Sequence, residues 1–282
     1  MKRILMIGLC LALAFAGYGY WEALRDPVVR TAAIGMADWP EGQAPLRVAL
    51  LSDLHVAGPD MPPARLAGIV EQVNALKPDM VLIAGDLVSD KRVSTHRYSE
   101  DEAIAPLGRL RARFGVVAVL GNHDHWRSTA GIRHALEANR VTVLSNSVIR
   151  RAGLIIAGAD DDFTGRADPA ALARAVTPLK GPVVALSHSP DIVPALPPRF
   201  ALVLAGHTHC GQIALPLIGR PATMSRYGDR FACGLIREGE RTIIVGAGLG
   251  TSLLPLRIGA PPDLWLLTLT GPAAPATATA AR

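Results

Sequence analysis

An α/β fold of two β-sheets packed face to face, with helices outside them, is predicted by three observations. Short apolar runs recur along most of the chain, and the early ones are continuous, as strands buried on both faces are. Helical periodicity separates several of the early runs, whereas the later ones follow one another without long helices between them. Half of the 282 residues are apolar and 19% are charged, which is enough for a large core in a chain of this length.

In chain order, Lys2 and Arg3 precede an uncharged stretch, Ile4 to Trp21, of 18 residues. As a helix it spans ~27 Å, the thickness of a bilayer core. Tyr18, Tyr20 and Trp21 close it, as aromatic residues do at a membrane interface. A membrane anchor over residues 1–21 is the expected reading. Ala14-Phe15-Ala16 supplies the rival, a cleaved signal segment. Both send the remainder out of the cytoplasm. The anchor reading makes the chain a single-pass protein of the inner (cytoplasmic) membrane, facing the periplasm or exterior, and the cleaved form an exported soluble protein.

Residues 22–45 read as a linker, with an edge strand expected at Val28 to Ile34. The body covers residues 46–270. Its strand-like runs are Arg47–Leu51, Met80–Ala84, Val116–Leu120, Val141–Leu144, Leu154–Ala157, Val183–Leu186, Ala201–Leu204, Phe231–Ile236, Thr242–Val245 and Leu264–Leu269. Between Pro63 and Lys77 the apolar residues Leu66, Ile69, Val70, Val73 and Leu76 follow the 3.6-residue period, and Pro78 ends the helix. Asp168-Pro169 opens another helix, the acid as N-cap and the proline at the first helical position. Residues 271–282 are rich in Ala, Thr and Pro and read as a disordered tail.

The net charge of +5 suits an anionic membrane surface or substrate and equally describes ordinary surface charge. Without a run of like charges, and with 5% aromatic residues, the chain is not expected to bind nucleic acid. Of three cysteines, Cys10 lies in the apolar segment. Cys210 and Cys233 are open to three readings: a disulfide in an oxidising compartment, two free thiols, or, for Cys210 beside His209, a thiol near a metal.

Five motifs carry the chemistry: Asp53-Leu54-His55, Gly85-Asp86, Gly121-Asn122-His123-Asp124, His188 and Gly206-His207-Thr208-His209. Each lies within a few residues of the end of an apolar run, and carboxyl ends of neighbouring strands converge on one crevice. A lone Asp-x-His or His-x-His is more often structural. An ordered set of Asp, Asn and His at strand ends is not explained by core packing, because burying such groups without ligands is costly.

These motifs resemble the signature of the calcineurin-like metallophosphoesterases over roughly residues 46–269. The N-terminal segment and residues 206–216 and 248–258 resemble a bacterial membrane-associated branch, some members of which cleave the pyrophosphate of UDP-2,3-diacylglucosamine. Where that branch carries a second glycine in its His-x-His-Gly-Gly-Gln segment, this chain has Cys210. The resemblance implies a four-layer αββα sandwich of two mixed β-sheets. It also implies two divalent metal ions, of Mn, Fe or Zn, which the ligand types do not distinguish. Asp53, His55 and His209 would hold the first ion, Asn122, His188 and His207 the second, and Asp86 both. His123 would be the non-ligand histidine that steadies charge or protonates the leaving oxygen, with Asp124 orienting it. Arg257 is a candidate substrate contact.

The expected activity is hydrolysis of a phosphomonoester, phosphodiester or pyrophosphate bond, with a lipid or cell-envelope compound as substrate. A tethered phosphodiesterase for soluble nucleotides or nucleic acid is the alternative, and a metal-binding protein without turnover the third reading. Asp160-Asp161-Asp162 reads as a solvated loop that also caps a helix, and the loop bearing Lys91, Arg92, His96 and Arg97 as solvated surface. His125 is expected at a structural or rim position, and Trp126 either at the pocket mouth or in packing.

Overall fold

In the computed structural model, residues 1–91, 93–272 and 278–280 are described. Helix α1 spans Lys2–Leu24 and is the one helix among them long and apolar enough to cross a membrane. Most of it stands clear of the body, and only Gly19, Glu22 and Ala23 are buried. Thereafter the chain forms β1 (Val28–Gly35), β2 (Leu46–Leu51), α2 (Pro63–Ala75), β3 (Met80–Ala84), α3 (Glu100–Ile104), β4 (Val116–Val119), α4 (Asn122–Ala138) and β5 (Val141–Val143). The second half adds β6 (Ser147–Arg151), β7 (Leu154–Gly158), α5 (Pro169–Val176), β8 (Val183–Leu186), β9 (Leu202–Ala205), β10 (Gly234–Glu238), β11 (Arg241–Val245), β12 (Asp263–Thr270) and β13 (Ala278–Ala280).

Seven strands form one sheet in the order β13-β1-β12-β2-β3-β4-β5, and six the other in the order β10-β11-β9-β8-β7-β6. Both are mixed. In the first, β2, β3, β4 and β5 run parallel, and in the second β7, β8, β9 and β11 do. Three apolar clusters fill the spaces between four layers. Val48, Leu50, Leu82 and Val119 of the first sheet meet Ile156, Val184, Leu186, Leu204 and Ile244 of the second. On the first sheet's outer face, Leu66, Ile69, Val70 and Val73 of α2 and Ile132 and Leu136 of α4 cover Ala49, Val81, Ile83 and Ala118. Leu172 and Val176 of α5 pack on Ile155, Ala157 and Val183 of the other. The result is the αββα sandwich.

Local chemistry accounts for the helix ends. Pro63 opens α2 where its missing N–H is no loss. The Asp168 side chain accepts a hydrogen bond from the Ala171 amide at 2.8 Å and caps α5. Within α4 the backbone breaks at Ser128, whose hydroxyl accepts from the Gly131 amide at 3.2 Å and restarts the helix.

Several elements differ from expectation. Strand β1 is not an edge: it pairs in parallel with β12 and antiparallel with β13. The tail expected to be disordered thus contributes a strand at residues 278–280, and the expectation for residues 273–277 and 281–282 lies outside the described residues. The run Phe231–Ile236 divides, since Phe231 closes a short 3-10 turn and β10 begins only at Gly234, a residue with φ of 83°. Strand β6, polar and half-buried, had no apolar run to announce it.

Leu82 is fully buried between the sheets. Leu82→Ala should lower the unfolding free energy by about 2–5 kcal/mol, read from denaturant titration of the detergent-solubilised protein.

Candidate metal centre

The parallel strands of both sheets point their carboxyl ends to one edge. Asp53 follows β2, Asp86 follows β3 and Asn122 follows β4, while His188 follows β8 and His207 and His209 follow β9. All seven candidate ligands are buried there. Five of them, Asp53, His55, Asp86, His207 and His209, have φ between 47° and 71°, the left-handed region that residues other than glycine seldom adopt. The chain turns sharply off each strand and swings the side chain inward. Such conformations persist only where the surroundings over-determine them. Neighbouring glycines make room: a Cβ at Gly248 would stand 2.6 Å from the Asp53 Cβ, and one at Gly85 2.8 Å from the His188 ring.

The side chains form two adjoining groups. In one, His55 Nε2 lies 3.1 Å from His209 Nε2, and Asp53 Oδ1 lies 3.6 Å from His209 Nε2. In the other, His188 Nε2 lies 3.0 Å from Asn122 Oδ1 and 3.1 Å from His207 Nδ1. Asp86 stands between them through one oxygen: Oδ2 is 3.4 Å from His55 Nε2 and 3.2 Å from His188 Nε2. Its Oδ1 accepts from the His123 amide at 2.9 Å.

Hydrogen bonds on the far side of two rings fix which nitrogen faces inward. His188 Nδ1 donates to the Ala84 carbonyl at 2.8 Å, which turns Nε2 toward Asp86. His207 Nε2 donates to the Met224 carbonyl at 3.2 Å, leaving Nδ1 inward. Burial lowers His55 and His209 well below the ordinary histidine value and His207 to about 3, so these rings are neutral. Burial opposes charge on His188 too, but Asp86 and Asp53 outweigh it and raise it to about 10. Burial, reinforced by Asp86, raises the Asp53 carboxyl to about 6, although His188 opposes it. Ring nitrogens and carboxylate or amide oxygens thus converge at 3.0–3.6 Å, a donor set that divalent cations would take as ligands. The residues fit a pair of metal ions.

Not every expected contact forms. Asp124 does not meet the His123 ring. Its carboxylate accepts from the amides of Leu87 (2.8 Å), Val88 (3.2 Å) and Gly121 (2.9 Å), tying the loop after β3 to the start of α4. Burial, with Asp86 beside it, raises this carboxyl to about 7. Asp90 is the partner of His123 Nδ1. A carboxylate four residues beyond Asp86 in the same loop was the available signal, and the adjacency of Asp124 obscured it. His123 lies close enough to His55 and Asp86 to count as a ligand by distance. Its Nδ1 is taken by Asp90, however, and its Nε2 lies 3.4 Å from Ser252 Oγ.

Arg257 is not a substrate contact: it is completely buried behind the site. Its guanidinium donates to the carbonyls of Ala247 (2.8 Å), Gly248 (3.0 Å), Gly250 (2.6 Å) and Ala260 (2.9 Å), and Nη2 lies 3.3 Å from His209 Nδ1. Burial lowers its pKa to about 10. Lys91, expected on the surface, is buried in an ion pair with Asp60 and donates to Thr251 Oγ1 at 3.2 Å; Arg92 lies outside the described residues. His125 is structural, paired with Asp160 at 2.7 Å and Thr129 at 3.0 Å. Asp161 accepts from loop amides and Asp162 pairs with Arg226, so the acidic triplet is not free surface.

Of the three readings for Cys210, the structure takes the disulfide to Cys233, with Cα atoms 4.6 Å apart. Cys210 has φ of 54°, a left-handed conformation that glycine adopts most readily. The bridge holds it there. Asp86, Asn122, His207 and His209 floor a cleft of about 350 Å³ whose walls include Trp126, Phe163, Ile213, Pro221, Met224, Leu253 and Leu254. A larger cleft of about 600 Å³, lined by Arg109, Arg111 and Arg140, includes Gly115 and Val116 at the amino end of β4 and none of the ligands.

An imidazole and carboxylate cluster at the carboxyl edge of an αββα sandwich marks a metal-dependent phosphoric ester hydrolase. Residues 46–211 match the calcineurin-like phosphoesterase family, and the chain belongs to it. It is 32% identical to an uncharacterized metallophosphoesterase, YkuE, of Bacillus subtilis, over 91% of both chains. It is 28% identical to the phosphodiesterase YaeI of Escherichia coli, over 95% of this chain and 98% of that one. A zebrafish (Danio rerio) transmembrane protein with a metallophosphoesterase domain is 33% identical over 95% of this chain, which spans 63% of that protein's length.

Arg257→Lys keeps the charge but cannot serve four carbonyls in that geometry. It should lower the thermal midpoint and weaken metal binding by about 10–100-fold, measured by differential scanning fluorimetry and metal titration.

Proposed function

We propose that the protein hydrolyses a phosphodiester or pyrophosphate bond of a phosphorylated amphiphile, with two divalent ions held by Asp53, His55, Asp86 and His209 and by Asp86, Asn122, His188 and His207. The observation that carries this reading is the convergence of inward-facing nitrogens and carboxylate oxygens on the floor of an apolar cleft. Bound ions would supply Lewis acidity toward the phosphoryl oxygens and toward the attacking water.

The chain's own groups do the rest. Asp86 Oδ2, shared between the two groups, sets their separation, and its Oδ1 fixes the start of α4 through the His123 amide. Asp90 accepts from His123 Nδ1 and so orients the ring with Nε2 toward the cleft. A protonated His123 can then deliver its Nε2 proton to the leaving oxygen. Asp124 holds the two loops that carry Asp86 and His123 in register. The apolar walls exclude water from the reacting phosphate and suit an acyl or similarly apolar substituent.

Trp126 and Phe163, with ring centroids 6.3 Å apart at the cleft, favour one alternative, a nucleotide whose base stacks there. For location, the reading is a single-pass anchor in the inner membrane with the catalytic domain outside the cytoplasm. The Cys210–Cys233 disulfide supports an oxidising compartment.

Purified protein with Mn²⁺ should hydrolyse bis(p-nitrophenyl) phosphate. His123→Ala should lose about 10²–10⁴-fold in kcat with metal still bound, and full activity would remove His123 from the reaction. Asp86→Ala should lose both ions by elemental analysis; retention of two would misplace the shared ligand. A panel of lipid phosphates, UDP-2,3-diacylglucosamine and cyclic nucleotides separates the substrate classes. The amphiphile reading expects kcat/KM to rise with acyl chain length, and a preference for cyclic nucleotides would overturn it.

A further inference from the structure

Two loops beside the cleft carry large apolar side chains in water. Leu217 is fully exposed, Ile218 is 72% exposed and Leu253 69%, and Leu254 is also exposed. Single exposed apolar residues need no explanation, but several on adjoining loops mark an interaction surface. The loops are one body. The Ala214 amide donates to the Ile258 carbonyl at 2.7 Å, and Gln212 Nε2 donates to the carbonyls of Leu254 and Leu256, both at 3.0 Å.

That body is fastened to the end of α1. The Arg257 amide donates to the Gly19 carbonyl at 2.8 Å, and a Cβ on Gly19 would touch Leu256 and Ile258 at 3.4 Å. Leu254 is two residues from Leu256, so its Cα is within about 8 Å of the Leu256 Cα. The anchor therefore leaves the catalytic body beside the exposed leucines. The rest of α1 beyond that contact is bare, with Ile4, Leu5, Leu9 and Leu13 all exposed. At the junction Tyr18 packs near Trp21, and Arg25 lies over the Trp21 ring at 5.2 Å, the residue types of a membrane interface.

We propose that the loops 213–219 and 252–256 dip into the surface of the bilayer that α1 crosses, so that the cleft opens at the level of the lipid headgroups. The occupant is the lipid bilayer, because the patch is continuous with the helix that enters it. Leu253 and Leu254 line both the cleft and this face, which gives an amphiphile a path from membrane to site with its apolar part never in water. The inference rests on α1 being a membrane anchor and is independent of the hydrolytic chemistry.

The test uses the full chain, one copy per nanodisc of phosphatidylcholine and phosphatidylglycerol. In a Cys10→Ser background, Leu217→Cys or Leu253→Cys is labelled with an environment-sensitive fluorophore; the disulfide leaves no other thiol to label. Arg174→Cys on α5, in the outer helical layer, is the reference. Circular dichroism and the thermal midpoint confirm that each variant is folded. Labels at 217 and 253 should show blue-shifted emission that doxyl-labelled lipid quenches, while the label at 174 stays unshifted and unquenched. Water-like emission at both loop positions overturns the proposal. So does a blue shift without lipid quenching, which would mean the label packs into the cleft. So does a shift present only in discs holding two copies, which would assign the face to a second protomer.

Discussion

Everything at the carboxyl edge of the two sheets answers to one constraint, the enclosure of electron-rich atoms that face one another. Three carboxylates, those of Asp53, Asp86 and Asp124, are removed from water there, with four imidazoles that turn nitrogens inward. In a medium of low polarity such an arrangement needs positive charge among the donors, which a charged His188 supplies in part and divalent ions would complete. The left-handed turns at five ligands, the glycines whose missing side chains make room and the buried guanidinium of Arg257 behind His209 are all fitted to that enclosure. Burial in that enclosure also raises the carboxyls of Asp53 and Asp124.

The two sheets have to meet for the site to exist, and they meet through polar contacts as well as the apolar layer between them. His188 leaves the second sheet and donates to Ala84 at the end of β3 in the first. His207, from the second sheet, donates its amide to the Asp53 carboxylate at 2.9 Å. Each bond serves fold and site together: it fixes sheet against sheet and orients a ligand. Sliding the sheets by one residue would draw His209 away from His55 and His188 away from Asn122.

Much of this was legible in the amino-acid order because its causes are local or periodic. Buried parallel strands read as continuous apolar runs, and parallel strands place their ends together, so Asp53, Asp86, Asn122, His188, His207 and His209 could be assembled without coordinates. Pairings that depend on backbone direction were not legible. Asp124 stands next to His123, yet successive residues of a helix point about 100° apart, and the partner proves to be Asp90 from another loop. Arg257 carries a charge that suits a phosphate, but its carbonyl partners come from a loop whose path no spacing encodes. Lys91 looked solvated for the same reason, since Asp60 lies 31 residues away. Strand β6 was missed because half-burial gives no apolar run.

The contact between Gly19 and Arg257 moves the border between anchor and enzyme. Length and aromatic residues place that border at the helix end, but the catalytic body takes hold of the helix a turn earlier, burying Gly19, Glu22 and Ala23. The residue whose amide holds Gly19 is the one whose side chain stands against His209. One arginine thus touches the membrane segment with its backbone and the ligand cluster with its guanidinium. A version trimmed for solubility at Trp21 would lose the Gly19 acceptor and uncover the back of the active centre, so the tether is a structural part of the enzyme it tethers.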